Sequence, residues 1–73
     1  MDRYVFLAAP ITEGALSVYY DINSGYYDCE VDNQIAATIA HNDNTEWIDV
    51  NTGSVTDFST RIGALIDKQL AAD

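Results

Sequence analysis

The residues best suited to chemistry lie in one stretch, Tyr19-Tyr20-Asp21-Ile22-Asn23-Ser24-Gly25-Tyr26-Tyr27-Asp28-Cys29-Glu30-Val31-Asp32. Two alternating runs rich in Tyr, Val and Ile are broken at Asn23-Ser24-Gly25, the pattern of a β-hairpin. With Ser24-Gly25 as a two-residue loop, Ile22 faces Tyr27, Tyr20 faces Cys29 and Val18 faces Val31. That register gathers Val18, Tyr20, Ile22, Tyr27, Cys29 and Val31 on one apolar face. A three-residue loop would set Val18 against Glu30 and mix the faces, so it is rejected. The other face carries Tyr19, Asp21, Tyr26, Asp28, Glu30 and Asp32. Asp28, Glu30 and Asp32 stand about 6.7 Å apart in sequence along the strand, with Asp21 opposite Asp28, a repulsive pair. One reading is a solvated face that also deters sheet aggregation. The other is a docking surface for a basic partner, with Tyr19 and Tyr26 as contact anchors.

Other chemistries fit less well. Asp28-x-Glu30-x-Asp32 imitates the start of a calcium loop. However, Asn33 stands where the turn glycine belongs and Ile39 where a bidentate Glu is needed. Counting from Asp21 puts Asp32 twelfth but Tyr26 sixth, and alternate strand residues do not converge on an ion. No metal or cofactor is expected. Cys29 and His41, the only thiol and the only imidazole, could form a nucleophile–base pair. Yet Cys29 falls on the apolar parity, where a thiol acts as a small buried hydrophobe, and His41 beside Asn42-Asp43-Asn44 reads as a turn residue. There is no Gly-rich phosphate loop, nucleophile elbow or paired cysteine motif. The reading is therefore a non-enzymatic protein. Trp47 with Asp43, Glu46 and Asp49 forms a second acidic–aromatic patch, although a tryptophan on a short strand more often covers one end of a small core.

The elements around the hairpin follow from patterning. Arg3–Ala9 is almost continuously apolar and bounded by Pro10, which predicts a central strand buried on both faces. Glu13-Gly14 reads as a tight turn, and the hairpin occupies about Ala15–Val31. Gln34–His41 is read as a strand with Ile35, Ala37 and Ile39 on one face. A helix is the alternative, since Ile35 and Ile39 also fall at i and i+4. Glu46–Val50 is a further strand with Ile48 and Val50 inside and Trp47 and Asp49 outside. Val55, Phe58, Ile62, Leu65, Ile66, Gln69 and Leu70 form a stripe at helical spacing. Ser54 is the expected N-cap, with Asp57 completing a capping box and Lys68 near the negative end of the dipole. Gly63 costs about 1 kcal/mol in a helix, and suits a close approach of helix to sheet. The expected fold is α+β: one domain over residues 1–73, an antiparallel sheet of four to five strands with the C-terminal helix across the Val18/Tyr20/Ile22 face.

Charge narrows the function. The chain of 73 residues has a formal charge of −9, and its only cations are Arg3, Arg61 and Lys68. Nine carboxylates lie between Tyr4 and Thr60 with no Lys or Arg among them, so none is expected to find a cation nearby in sequence. Such a surface repels phosphate backbones and anionic membranes and favours basic surfaces. No run approaches the ~20 apolar residues of a membrane span. A lone cysteine fits a reduced setting, and the cytoplasm is the expected location.

By size, acidity and lack of catalytic groups, the chain resembles the small acidic inhibitors encoded by phages and mobile elements. Among these are anti-CRISPR proteins, anti-restriction proteins and uracil-DNA glycosylase inhibitors. The resemblance covers the general character of the whole chain and assigns a role to no single residue. It implies a DNA mimic, or a blocker of the nucleic-acid-binding surface of a host effector, acting in the host-cell cytoplasm. The acidic hairpin face would then occupy a Lys/Arg-lined channel. The alternative is a self-associating interaction domain, a homodimer through an edge strand or the Tyr-rich face.

Overall fold

In the computed structural model, which describes residues 2–72, five strands pair strictly in chain order and one helix follows them. The strands are β1 (Arg3–Ile11), β2 (Gly14–Asp21), β3 (Tyr27–Val31), β4 (Gln34–His41) and β5 (Trp47–Asp49). The helix, α1, spans Asp57–Ala71. All four pairings are antiparallel, and α1 packs over β4 and β5. Leu16, Val18, Cys29, Ala37, Ile39, Trp47, Ile62 and Ile66 form the core. The α+β class and the C-terminal helix are as the sequence predicts.

The hairpin register differs by two residues. Leu16 pairs with Val31, Val18 with Cys29 and Tyr20 with Tyr27, while Tyr19 faces Asp28. The strands end sooner because Asp21 organises a longer loop. Its carboxylate accepts the amides of Asn23 (2.9 Å) and Ser24 (3.2 Å), and its carbonyl accepts Gly25 N–H (2.8 Å). Gly25 stands at φ 76°, as such a loop needs. A slip of two leaves every side chain on its face, so the apolar and acidic faces survive. Ile22 is the exception: it sits in the loop, 63% exposed, and not in the core. The slip also removes the predicted Asp21–Asp28 repulsion, since Asp28 now stands opposite Tyr19.

β1 is an edge strand, not the central one. The two-residue turn after Ile11 returns the chain to its only partner, β2. The side of β1 that reads as buried instead faces solvent at Val5 and Ala8. A bulge at Phe6 interrupts its ladder. Ala15 directs its amide and carbonyl toward Asp32, so its partner Pro10 turns its nitrogen to the free edge and costs no ladder bond.

β4 is a strand over the predicted span, and it turns from β3 through Asp32 (φ 52°) and Asn33 (φ 68°). A bulge past Cys29 splits its apolar set: Ala37 and Ile39 are buried, but Ile35 faces out, 74% exposed. β5 is shorter than expected and inverted. Trp47 is the buried residue, paired with His41, and Ile48 lies on the opposite face beside Ala40. Covering the core end is thus the role Trp47 has.

The helix begins two residues later than the Ser54 cap would place it. Thr56 is the N-cap and Ser59, not Asp57, closes the capping box (both bonds 2.9 Å). Val55 therefore lies outside the helix, half exposed, and Leu70 is also half exposed near its end. Ser59 is the buried polar residue that ties α1 to β5, donating to the Trp47 carbonyl at 2.9 Å. Gly63 lies flat on the indole of Trp47, where a Cβ would overlap the ring.

Candidate functional site

The six carboxylate and tyrosine positions picked from the sequence do not form one surface. Tyr19, Asp28 and Glu30 stay together on the sheet face that α1 leaves bare, but they close around a cation. Arg3 reaches across β2 to Asp28 (3.2 Å) and Glu30 (3.3 Å), and its guanidinium lies 4.4 Å from the Tyr19 ring centroid. Thr38 adds a hydroxyl to Asp28 at 3.2 Å. Asp21 and Tyr26 lie at the hairpin tip, where Asp21 caps the loop and Tyr26 is 40% exposed. Asp32 sits at the other end of β3, accepting Ala15 N–H at 2.9 Å.

A second cation is engaged in the same way. Arg61 binds Glu13 through both terminal nitrogens and Asp57 through Nε (2.9 Å), so it joins the helix start to the β1–β2 turn. The hydrogen bonds from Arg61 hold the Glu13 carboxyl below its ordinary range. The expectation that no carboxylate finds a cation nearby in sequence fails only at Asp57. The Asp57–Arg61 pair is local, one helical turn apart, whereas Arg3 and Glu13 are joined to their partners only by the fold.

These networks leave a different region negative. The start of β1 and the loops Asp21–Tyr27 and His41–Trp47 lie at the same end of the sheet. There Asp2 accepts Ile22 N–H through its carbonyl at 2.7 Å, and Asn42 closes its loop by accepting the amides of Asn44 and Glu46, both 2.9 Å. The last turns of α1 add Asp67, whose carboxylate accepts Trp47 Nε1–H at 3.0 Å and lies 3.8 Å from His41 Nε2. Asp2, Asp21, Asp43, Glu46 and Asp67 thus share one end, and neither arginine pairs with any of them.

Along that end runs an aromatic row that strand order alone creates. Tyr4 meets Tyr20 (ring centroids 5.9 Å), Tyr20 meets Tyr27 (5.0 Å), and Tyr27 meets both Phe6 (5.3 Å) and Trp47 (5.5 Å). His41 packs on Trp47 with ring centroids 3.8 Å apart and planes tilted by 42°. Burial, then the neighbouring phenols Tyr20 and Tyr4 and the Asp67 carboxylate, push the Tyr27 hydroxyl above its ordinary range. The Tyr20–Tyr27 pairing was within reach of a hairpin argument. Tyr4, Phe6, His41 and Asp67 were not, because they join the row only through strand order and helix docking.

Cys29 is fully buried, and burial pushes its thiol up to about 12. Among the described residues no three His, Cys, Asp or Glu side chains converge as metal ligands, and no cavity is present. No helix among the described residues is long and apolar enough to cross a membrane. Comparison with family models, with curated proteins and with solved structures finds no match to the chain.

Proposed function

We propose that this chain is a non-enzymatic inhibitor that binds the basic, nucleic-acid-contacting surface of a host effector. One observation carries the reading. Arg3 and Arg61 are each held by two carboxylates of the same chain, so neither balances Asp2, Asp21, Asp43, Glu46 and Asp67 at the hairpin end, where Lys68 in the last turn of α1 is left as the remaining cation. Such a surface steers toward Lys- and Arg-rich grooves and competes with phosphates for them. This is the mode of action that the resemblance to small acidic phage-encoded inhibitors implies. The test is capture on the immobilised chain followed by elution with duplex DNA. Nucleic-acid-handling proteins released both by DNA and by salt support the reading; retention indifferent to both sinks it.

The free edge of β1 favours a second reading, self-association. Tyr4 and Val5 are 51% and 56% exposed beside unpaired backbone. The Phe6 bulge and the outward nitrogen of Pro10 oppose regular pairing along that edge. Light scattering across concentration separates the two: a mass that stays monomeric removes the second reading.

A further inference from the structure

The bare side of the sheet shows how this molecule holds an arginine. The Arg3 guanidinium lies over the Tyr19 ring while Asp28 and Glu30 bind its nitrogens. The hairpin end repeats the ingredients on the opposite face without a guanidinium of its own. Because α1 covers β4 and β5, the rings of Tyr4, Tyr20 and Tyr27 on β1–β3 are left half covered, with Tyr4 51% exposed. Carboxylates lie at the same end of the sheet as these rings: Asp2 before β1, Asp43 and Glu46 in the β4–β5 loop, and Asp67 on α1. Of these carboxylates Asp67 is the one whose charge is felt at the Tyr27 hydroxyl, after burial and the neighbouring phenols Tyr20 and Tyr4.

We propose that the basic partner docks at this end, laying arginine side chains on the exposed ring of Tyr4 and the half-covered rings of Tyr20 and Tyr27, within reach of the loop and helix carboxylates. The inference rests on the basic-partner reading and adds the surface and the side-chain chemistry. A planar guanidinium stacks on a phenol ring and binds carboxylates through its edge at once, whereas an ammonium acts as a compact, strongly hydrated point charge. Arginine is therefore preferred over lysine.

The experiment uses fluorescein-labelled oligoarginine and oligolysine peptides of equal length as probes, with anisotropy titrations at low salt and amide chemical-shift mapping on the wild-type chain. Oligoarginine should bind more tightly than oligolysine. Shifts should concentrate in residues 2–6, 20–27, 41–47 and 66–70. Tyr4→Ala should weaken oligoarginine binding about threefold. The triple variant Asp2→Asn, Asp43→Asn, Glu46→Gln should weaken it about tenfold. The mapping needs no variant, so it decides even if one fails to fold. Binding of both peptides with equal affinity, or shifts confined to the Tyr19/Asp28/Glu30 face, overturns the placement while leaving the basic-partner reading intact. No binding of either peptide overturns that reading as well.

Discussion

The Ser59 hydroxyl donates to the backbone carbonyl of Trp47 across 2.9 Å, in the interior, and joins the first turn of α1 to β5. The same oxygen accepts Thr56 N–H, so one side chain closes the helix cap and fastens the helix to the sheet. Ser59→Ala removes both and leaves a buried carbonyl without its donor. Chemical denaturation should show a loss of about 1–3 kcal/mol. Ser59→Thr, which keeps the oxygen, should lose less unless its added methyl clashes.

Gly63→Ala should destabilise, against helix propensity. The methyl gains up to about 1 kcal/mol as a helix residue but enters the Trp47 indole. The helix must then shift, at a cost of about 1–3 kcal/mol for an overpacked contact. Tryptophan emission reports it directly, because Trp47 is the only tryptophan and its Nε1–H is bound by Asp67. A more stable variant with unchanged emission would refute the contact.

Arg3→Met should lower the melting temperature, because it leaves Asp28 and Glu30, neighbours on one face of β3, partly buried without their cation. The same substitution in an Asp28→Asn, Glu30→Gln background should have a smaller effect. Equal effects in both backgrounds would mean that the three side chains are not coupled.

Alkali should destabilise the fold through its buried acids. Burial raises the Cys29 thiol from the ordinary 9.0 to about 12, and burial likewise raises the Tyr27 phenol. The unfolded chain releases these protons first, so stability falls as pH rises above 9, and for the thiol the fall ends near 12. The slope for one such group approaches about 1.4 kcal/mol per pH unit. Cys29→Ala should flatten the profile over that range. Cys29 should also resist thiol reagents at pH 8 until the chain is unfolded.

Much of the fold was legible because its signals are local. The parity of Val18, Cys29 and Val31 marks a face whatever the register, and the spacing of Phe58, Ile62 and Ile66 marks a helix whatever it packs on. The errors arose where a distant or rival contact decides. Asp21 could end a strand or serve a loop, and its two amide bonds settle that only in three dimensions. Arg3–Ala9 looks doubly buried because apolar runs do not say which neighbour is absent. Trp47 turned inward because Gly63 and Ser59, more than ten residues away, make room and a partner for it. The candidate surface suffered most. Pairing Arg3 with Asp28 and Glu30 requires β1 beside β2 beside β3, so local sequence showed an acidic face without a cation where the fold seats one between two carboxylates.

The sheet order has a kinetic consequence. Each strand pairs with its predecessor, so the sheet can close hairpin by hairpin as the chain leaves the ribosome, through contacts of short sequence separation that form quickly. The lid arrives last: the 15 residues of α1 follow every strand. Until they dock, Val18, Cys29 and Ile39 are open to water, and to any neighbouring nascent chain. Synthesis halted before Asp57 would leave an adhesive sheet with its apolar face open, so docking of α1 marks the moment when that face stops being a hazard to its neighbours.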